Sequence, residues 1–200
     1  VYAAGDAPLS FAPVIYTGNS GTQDISCGFA PDLVWLKQRD GSENHRLYDS
    51  VRGALKPLYS DLADAQGEES SSLTSFNSDG FSLGDTGAVN YNGSSFVAWC
   101  WAAGGTTVVN NEGTIQSQVR SNGDFSIVQY TGNLTAGATV GHGLSSKPAF
   151  MIFKSESASD WYVFGDNIDP TYVNGLRLNS PDAIVAAGSN LNTAPPTSSV

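Results

Sequence analysis

Apolar and polar residues alternate over short distances along this chain, which is the pattern of β-strands. Val14 and Tyr16 alternate before the turn signal of residues 17–21, and Phe81 and Leu83 alternate after Asp79-Gly80. Turn residues bound these runs at spacings of about 8–12 residues, which predicts many short strands. The remaining predicted strands are Asp32–Gln38, the weaker Asn44–Asp49, the strand or turn Leu58–Leu62, and the central, most apolar run Ser95–Trp101.

Such a series of strands predicts an all-β fold made of antiparallel β-sandwiches, with seven or more strands in each. The apolar side chains expected between the two sheets are Trp35, Leu47, Phe81, Val97 and Trp99. If Trp99 points inward, Cys100 points to the opposite face, because successive strand residues alternate.

Two stretches contain helix-forming residues, but neither has a helical period. Residues 61–69 hold a single large apolar residue and are interrupted by Gly67, so we interpret them as a polar loop with at most one helical turn. Residues 179–187 are the corresponding stretch later in the chain, and Pro181 there suits the first position of a helix.

The chain also contains an internal repeat. Phe11–Asn19 returns as Phe125–Asn133, 114 residues later, and Pro31–Lys37 returns as Pro148–Lys154, at an offset of 117. His45–Tyr48 aligns with residues 161–164 between these limits. A repeat of about 115 residues with loop-length differences predicts two copies of one fold, used as building material or as a binding surface.

The repeat predicts the domain organisation. Residues 11–105 form a first sandwich, residues 106–124 a linker or hairpin, and residues 125–200 a second, incomplete sandwich without a copy of Ser95–Trp101. Residues 1–10 resemble the end of a preceding repeat. The chain is then part of a longer array, or a partner chain completes the second repeat; otherwise the second repeat is degenerate and the N-terminal match is chance. Since an unpaired apolar edge invites aggregation, we expect that edge to be covered.

Charge and composition narrow the classes of partner. The net charge is −10, and nine Lys and Arg residues are scattered along the sequence. Because phosphate neutralisation requires clustered cations, we expect neither nucleic acid nor an anionic membrane as a direct partner. No apolar run approaches the length that crosses a bilayer, and the first residues lack the pattern of a signal peptide. The two cysteines, Cys27 and Cys100, are expected to be buried free thiols.

The sequence assigns no catalytic, cofactor-binding or metal-binding residue. His45 and His142 occupy non-equivalent repeat positions, and His142 is expected to hydrogen-bond within its own loop. A glycosidase would need paired acids flanking a sugar, whereas the available acids lie in a polar loop. These acids are Asp61, Asp64, Glu68 and Glu69.

Two further kinds of site remain open. Oxygen-rich segments at residues 40–43 and 77–80 could hold Ca²⁺, although the same residues are ordinary turn formers. Exposed aromatic side chains could bind sugars, although aromatic residues on strands are more often core. The candidates are Tyr91, Trp161, Tyr162 and Tyr172. No phosphate-binding Gly-Lys-Ser or Gly-Lys-Thr sequence is present, which excludes a P-loop.

Taken as an ordered set, six motifs resemble a repeat module of phage virion proteins, such as tail-fibre and other surface proteins of phages that infect marine bacteria. The motifs are Tyr16–Asn19, Cys27–Phe29, Pro31–Lys37, Leu47–Ala54, Ser75–Gly84 and Phe96–Trp101. The resemblance covers nearly all of the first repeat and the first two-thirds of the second. Cys27 departs from the usual histidine, which His142 retains. The resemblance implies a jelly-roll sandwich of the laminin-G and concanavalin-like kind, and it brings no catalytic residues.

We therefore expect a non-enzymatic virion surface protein, in a tail fibre, tail or capsid appendage, that adheres to host-surface glycans. Its partners would be other virion proteins and further copies of itself, as a homotrimer by analogy with fibres. The alternatives are a secreted bacterial carbohydrate-binding or adhesion module and a glycan-cleaving enzyme of the same fold.

Overall fold

The computed structural model describes residues 10–186 and 195–200, and these form an all-β protein with a single short helix. The resemblance of the N-terminal residues to a repeat end falls on residues 1–9, outside the described part. Among the described residues, two compact units are present: unit 1 comprises residues 10–56 and 68–103, and unit 2 comprises residues 57–67, 104–186 and 195–200. No helix in the described ranges is long and apolar enough to cross a membrane.

Unit 1 is built on two antiparallel sheets. The larger has the order β1-β8-β3-β4-β5, and the smaller has the order β2-β7-β6. The strands are β1 (Phe11–Thr17), β2 (Gln23–Ser26), β3 (Leu33–Gln38), β4 (Arg46–Asp49), β5 (Gly53–Leu58), β6 (Leu73–Phe76), β7 (Gly80–Leu83) and β8 (Ser95–Trp101), and helix α1 (Gly87–Asn90) precedes β8. β8 lies between β1 and β3 and pairs with both, which confirms its predicted central place.

The core of unit 1 lies on one face of each strand. Val34 and Leu36 of β3 are fully buried together with Phe96, Ala98 and Cys100 of β8, and they form one cluster with Phe81 of β7. Each large apolar side chain buried in this way stabilises the fold by about 1.5–3 kcal/mol. Other members of the cluster are Tyr16, Ile25, Cys27, Tyr48, Leu73, Leu83 and Val89.

The prediction of which β8 side chains face the core is wrong. Cys100 points into the core, whereas Trp99 and Val97 are half-buried on the other face, and Trp35 pairs with Trp99 there. The two indole rings pack edge to face at 6.0 Å. Leu47 is buried, but it pairs with Trp35 rather than lying between the sheets. Of the five predicted core residues, Phe81 is the one within the core cluster.

Buried polar side chains hold the turns of unit 1. The Asp49 carboxylate accepts hydrogen bonds from the Arg52 Nε, at 2.6 Å, and from the Arg52 backbone N–H, at 2.8 Å. The Asp32 carboxylate accepts from the Ser50 hydroxyl and from the Ala103 N–H, both at 2.8 Å. Because a buried charge is costly without such partners, the fold requires these residues, and their burial needs no catalytic explanation.

Unit 2 has two further antiparallel sheets, with the orders β11-β10-β9 and β12-β13-β14-β15. The strands are β9 (Val108–Asn110), β10 (Ser117–Ser121), β11 (Ser126–Tyr130), β12 (Phe150–Phe153), β13 (Tyr162–Gly165), β14 (Asn174–Arg177) and β15 (Val185–Ala186). Residues 106–124 thus contain an antiparallel β9–β10 pair.

Both candidate helices are absent from the described residues. Residues 63–69 are irregular, as the loop interpretation predicted. Residues 181–184 are also irregular, and β15 follows them, so Pro181 does not begin a helix. Ala187, the last residue of that candidate, lies outside the described part of the chain.

Candidate glycan-binding site

A shallow cleft of about 270 Å³ lies on unit 1 and is here named the Tyr91 cleft. Gln38 at the end of β3, Glu43 in the following loop and Ser94 before β8 supply its polar side chains. The Tyr91 side chain is 61% exposed. Gly87 and Ala88 of α1 complete the lining of the cleft.

The backbone beside Tyr91 is held firmly by the neighbouring Asn90 side chain, which is fully buried. Its Nδ2 donates to the carbonyl oxygens of Gly21 and Gly84, at 2.6 and 2.8 Å. Its Oδ1 accepts from the Asn19 N–H and from Gln23 Nε2, at 2.9 and 2.8 Å. A satisfied buried network of this kind rigidifies the chain around it. The exposed ring of Tyr91 is therefore attached to a fixed backbone.

The Tyr16–Asn19 motif completes this support. The Tyr16 hydroxyl donates to the Val89 carbonyl oxygen at 2.7 Å. Gly18 is required because a Cβ there would lie 2.2 Å from the Tyr91 carbonyl oxygen. A repeated motif thus positions α1 and the residue that follows it.

The polar groups of the cleft also have defined orientations. Gln38 Nε2 donates to the Ser94 hydroxyl at 3.0 Å, and Glu43 forms a 3.5 Å ion pair with Arg46. Nearby, Asp40 accepts a hydrogen bond from the Ser95 N–H, which holds the pKa of this carboxyl below its ordinary value. An exposed phenol ring beside an amide, a hydroxyl and a carboxylate can pack on the C–H face of a sugar and bind its hydroxyl groups.

The other aromatic candidates are core residues or half-buried. Trp161 and Tyr172 are each 3% exposed, and Tyr162 is half-buried. The Trp161 indole donates to the Tyr59 carbonyl oxygen within unit 2, and the Tyr172 hydroxyl donates to the Asp166 carboxylate. For Trp161 and Tyr172 the core interpretation is correct, which leaves Tyr91 as the exposed residue of the four.

The segments considered for Ca²⁺ are occupied by hydrogen bonds of the protein itself. Lys37 Nζ donates to the carbonyl oxygens of Gly41 and Glu43, at 3.2 and 2.8 Å. At the matching repeat position, Lys154 Nζ donates to those of Ser155 and Ser157. The Asn77 side chain bonds to Ser75 and Ser82. Within the described residues, no group of three or more His, Cys, Asp or Glu side chains could hold a metal ion.

The histidines and Glu69 form contacts within the fold, and the other acids considered for catalysis are exposed. His45 Nδ1 accepts from the Trp35 indole at 2.8 Å. His142 Nδ1 accepts from the Leu144 N–H at 3.0 Å, which confirms the predicted bond within its loop. Asp61, Asp64 and Glu68 are exposed, and Glu69 pairs with Arg46.

The two thiols meet in the core of unit 1. Both cysteines are free and buried, as predicted, and both belong to the main core cluster. The Cys100 thiol hydrogen-bonds to the Cys27 sulfur, which raises the pKa of Cys100 and lowers that of Cys27. Burial adds to the increase for Cys100. Their sequence separation gave no sign of this contact.

A larger cleft, of about 530 Å³, lies on unit 2 beside β9 and β10. Val108 and Val109 in its lining are about half exposed and Val119 is buried, while the other lining residues are polar or glycine, without an aromatic ring. Without a ring to pack against, this cleft offers a sugar less than the Tyr91 cleft does.

Comparison with known families gives one match. The model of a domain of unknown function, DUF7483, matches residues 8–200, so the chain belongs to that family. No curated protein and no solved structure matches the chain.

Proposed function

We propose that this member of the DUF7483 family is a non-enzymatic virion surface protein that adheres to host-surface glycans through the Tyr91 cleft. The virion assignment rests on the resemblance of the six ordered motifs to phage surface modules. The same resemblance is the basis for proposing a jelly-roll topology, other virion proteins as partners and a homotrimer.

The observation that carries the adhesion proposal is the contrast between Tyr91 and its backbone. The Tyr91 side chain is 61% exposed, while the Asn90 side chain beside it is fully buried and hydrogen-bonded. An exposed aromatic side chain on a rigid support loses little entropy when a ligand binds. Shallow clefts suit the ends or edges of glycans, whereas small cofactors favour enclosed pockets.

Binding to glycans is tested with the intact chain on an array of bacterial lipopolysaccharide O-chains and capsular polysaccharides. We expect a subset of these to bind, and Tyr91→Ala to weaken binding by about tenfold or more, as for an aromatic anchor. Tyr130→Ala is the matched control, since Tyr130 is also exposed but lies in unit 2. Equal binding by the wild type and Tyr91→Ala, or no binding at all, would contradict the proposal.

The virion and non-enzymatic parts have separate tests. Immunogold labelling with antibodies against the chain should decorate the surface of phage particles; protein found only in bacterial culture fluid would favour the secreted-module alternative. Incubation with each bound polysaccharide should release no new reducing ends. Sustained release would instead favour the glycan-cleaving alternative.

A further inference from the structure

Two strands of unit 2 each have an edge at which no described strand pairs. By the repeat, β11 corresponds to β1 and β12 to β3, and in unit 1 both of those strands pair with β8. In unit 2, β11 pairs with β10 and β12 with β13. Within residues 10–186 and 195–200, no strand pairs with the remaining edge of either. These two open edges, at the positions that flank β8 in unit 1, are here together named the strand slot.

The side chains around the strand slot are less buried than their counterparts in unit 1. Val34 and Leu36 are 0% and 1% exposed, whereas Met151 and Phe153 at the matching positions are half-buried. Phe150 and Ile152, on the other face of β12, are 61% and 38% exposed. Open edges beside exposed apolar residues are the usual features of a site that accepts an additional strand.

We propose that the strand slot binds an extended peptide segment with the side-chain pattern of Ser95–Trp101, antiparallel to both β11 and β12. Unit 1 supplies the register, since Ala98 pairs with both Val14 and Leu36, and Cys100 with both Ala12 and Val34. Transferred by the repeat, the first inward residue of the segment lies between Val128 and Phe153. The second lies between Ser126 and Met151.

The slot selects the segment by the size of its inward residues. In unit 1 these are Ala98 and Cys100, which are small, and they lie beside Val34 and Leu36. Unit 2 has the larger Met151 and Phe153 at the latter two positions. Because methylenes added to a packed core force its side chains and backbone to shift, the segment must keep small residues at both inward positions.

A second folded copy of the chain is a poorer occupant than a peptide segment. Its own Ser95–Trp101 is already paired along both edges in unit 1.

The test adds a synthetic peptide of residues 94–103, with two lysines at each end for solubility, to the intact chain. The control peptide carries Ala98→Phe and Cys100→Phe in the same frame. We expect saturable one-to-one binding by fluorescence anisotropy, about tenfold or more tighter than that of the control. Hydrogen exchange should slow in both β11 and β12.

Three results would overturn this inference. The first is equal binding of the two peptides, or none. The second is slower exchange in β1 and β3 in place of β11 and β12, which would indicate replacement of β8 in unit 1. The third is self-association of the chain that protects β11 and β12 and excludes the peptide, which would make a second copy the occupant. The folded wild-type chain is used throughout, so misfolding of a variant cannot explain a negative result.

Discussion

The same four residues, Tyr-Thr-Gly-Asn, occur once in each unit and have different surroundings. In unit 1, Tyr16 is 9% exposed and bonds to Val89, and Asn19 bonds to the buried Asn90. In unit 2, Tyr130 is 41% exposed, and the Asn133 side chain accepts only a local bond from the Thr135 N–H among the bonds described. The difference lies in the neighbouring elements: α1 and β8 hold the motif in unit 1, whereas among the described residues of unit 2 Tyr130 pairs with Ser117 of β10. A motif therefore contributes to a core only when its partner elements are present.

The largest expected effect comes from truncating matched core residues. Leu36→Ala should destabilise unit 1 by about 3 kcal/mol, because a fully buried side chain leaves a cavity. Phe153→Ala, at the matching position, should lower the free energy of unfolding of unit 2 by less than half of the loss expected for a fully buried phenylalanine, since Phe153 is half-buried. Native-state hydrogen exchange at amides of β8 and β13 measures each unit separately. Equal losses would show that the core of unit 2 is as closed as that of unit 1.

A smaller effect is expected from the tyrosines of the motif. Tyr16→Phe should cost about 1–2 kcal/mol, because it leaves the Val89 carbonyl oxygen without its hydroxyl donor in a buried site. Tyr130→Phe should change stability by less than about 0.5 kcal/mol, as for exposed positions. Urea denaturation of the two variants checks the difference. A reversed order would contradict the comparison between the motifs.

The smallest expected effect is a local pH dependence at the loop that follows β13 in unit 2. Hydrogen bonds from the Thr171 hydroxyl and backbone lower the pKa of Asp169 to about 2, with Asn174 adding to this. Because the folded pKa lies below the ordinary value of about 3.9, the contribution is present above that value and is lost as the pH falls toward about 2. Amides of residues 169–174 should therefore exchange faster at low pH, relative to the intrinsic rate.

Asp169→Asn should remove this pH dependence, whereas Asp124→Asn, an exposed change in the same unit, should leave it intact. An unchanged profile in Asp169→Asn would show that another group controls the loop.

The sequence predicted where the strands lie better than which face of each strand is buried. Ser95–Trp101 has apolar residues on both faces, so its alternation locates a strand without distinguishing Trp99 from Cys100 as the inward residue. The deciding factor is tertiary, because the small Ala98 and Cys100 fit the core while Trp35 and Trp99 pack on each other outside it. Such pairing involves residues far apart in the chain.

The Tyr91 cleft was only partly predictable. Tyr91 was among the aromatic candidates, and its place in the polar stretch Asn90-Tyr-Asn-Gly93 was the signal that could have ranked it first. Helix α1 escaped detection because four residues do not complete enough turns for a helical period. The network of Asn90 depends on Asn19, Gly21 and Gly84, which only folding brings together.

The thiol contact inside unit 1 provides a chemical reporter for that unit alone. The chain has two cysteines, and both lie within the unit 1 core. Both thiols are buried, so an alkylating reagent reaches them when the protein around them opens, and the labelling rate follows openings of unit 1. Unit 2 contains no cysteine and does not contribute to the signal. Mass spectrometry of timed alkylation thus follows one sandwich of this repeat protein while the other remains unlabelled.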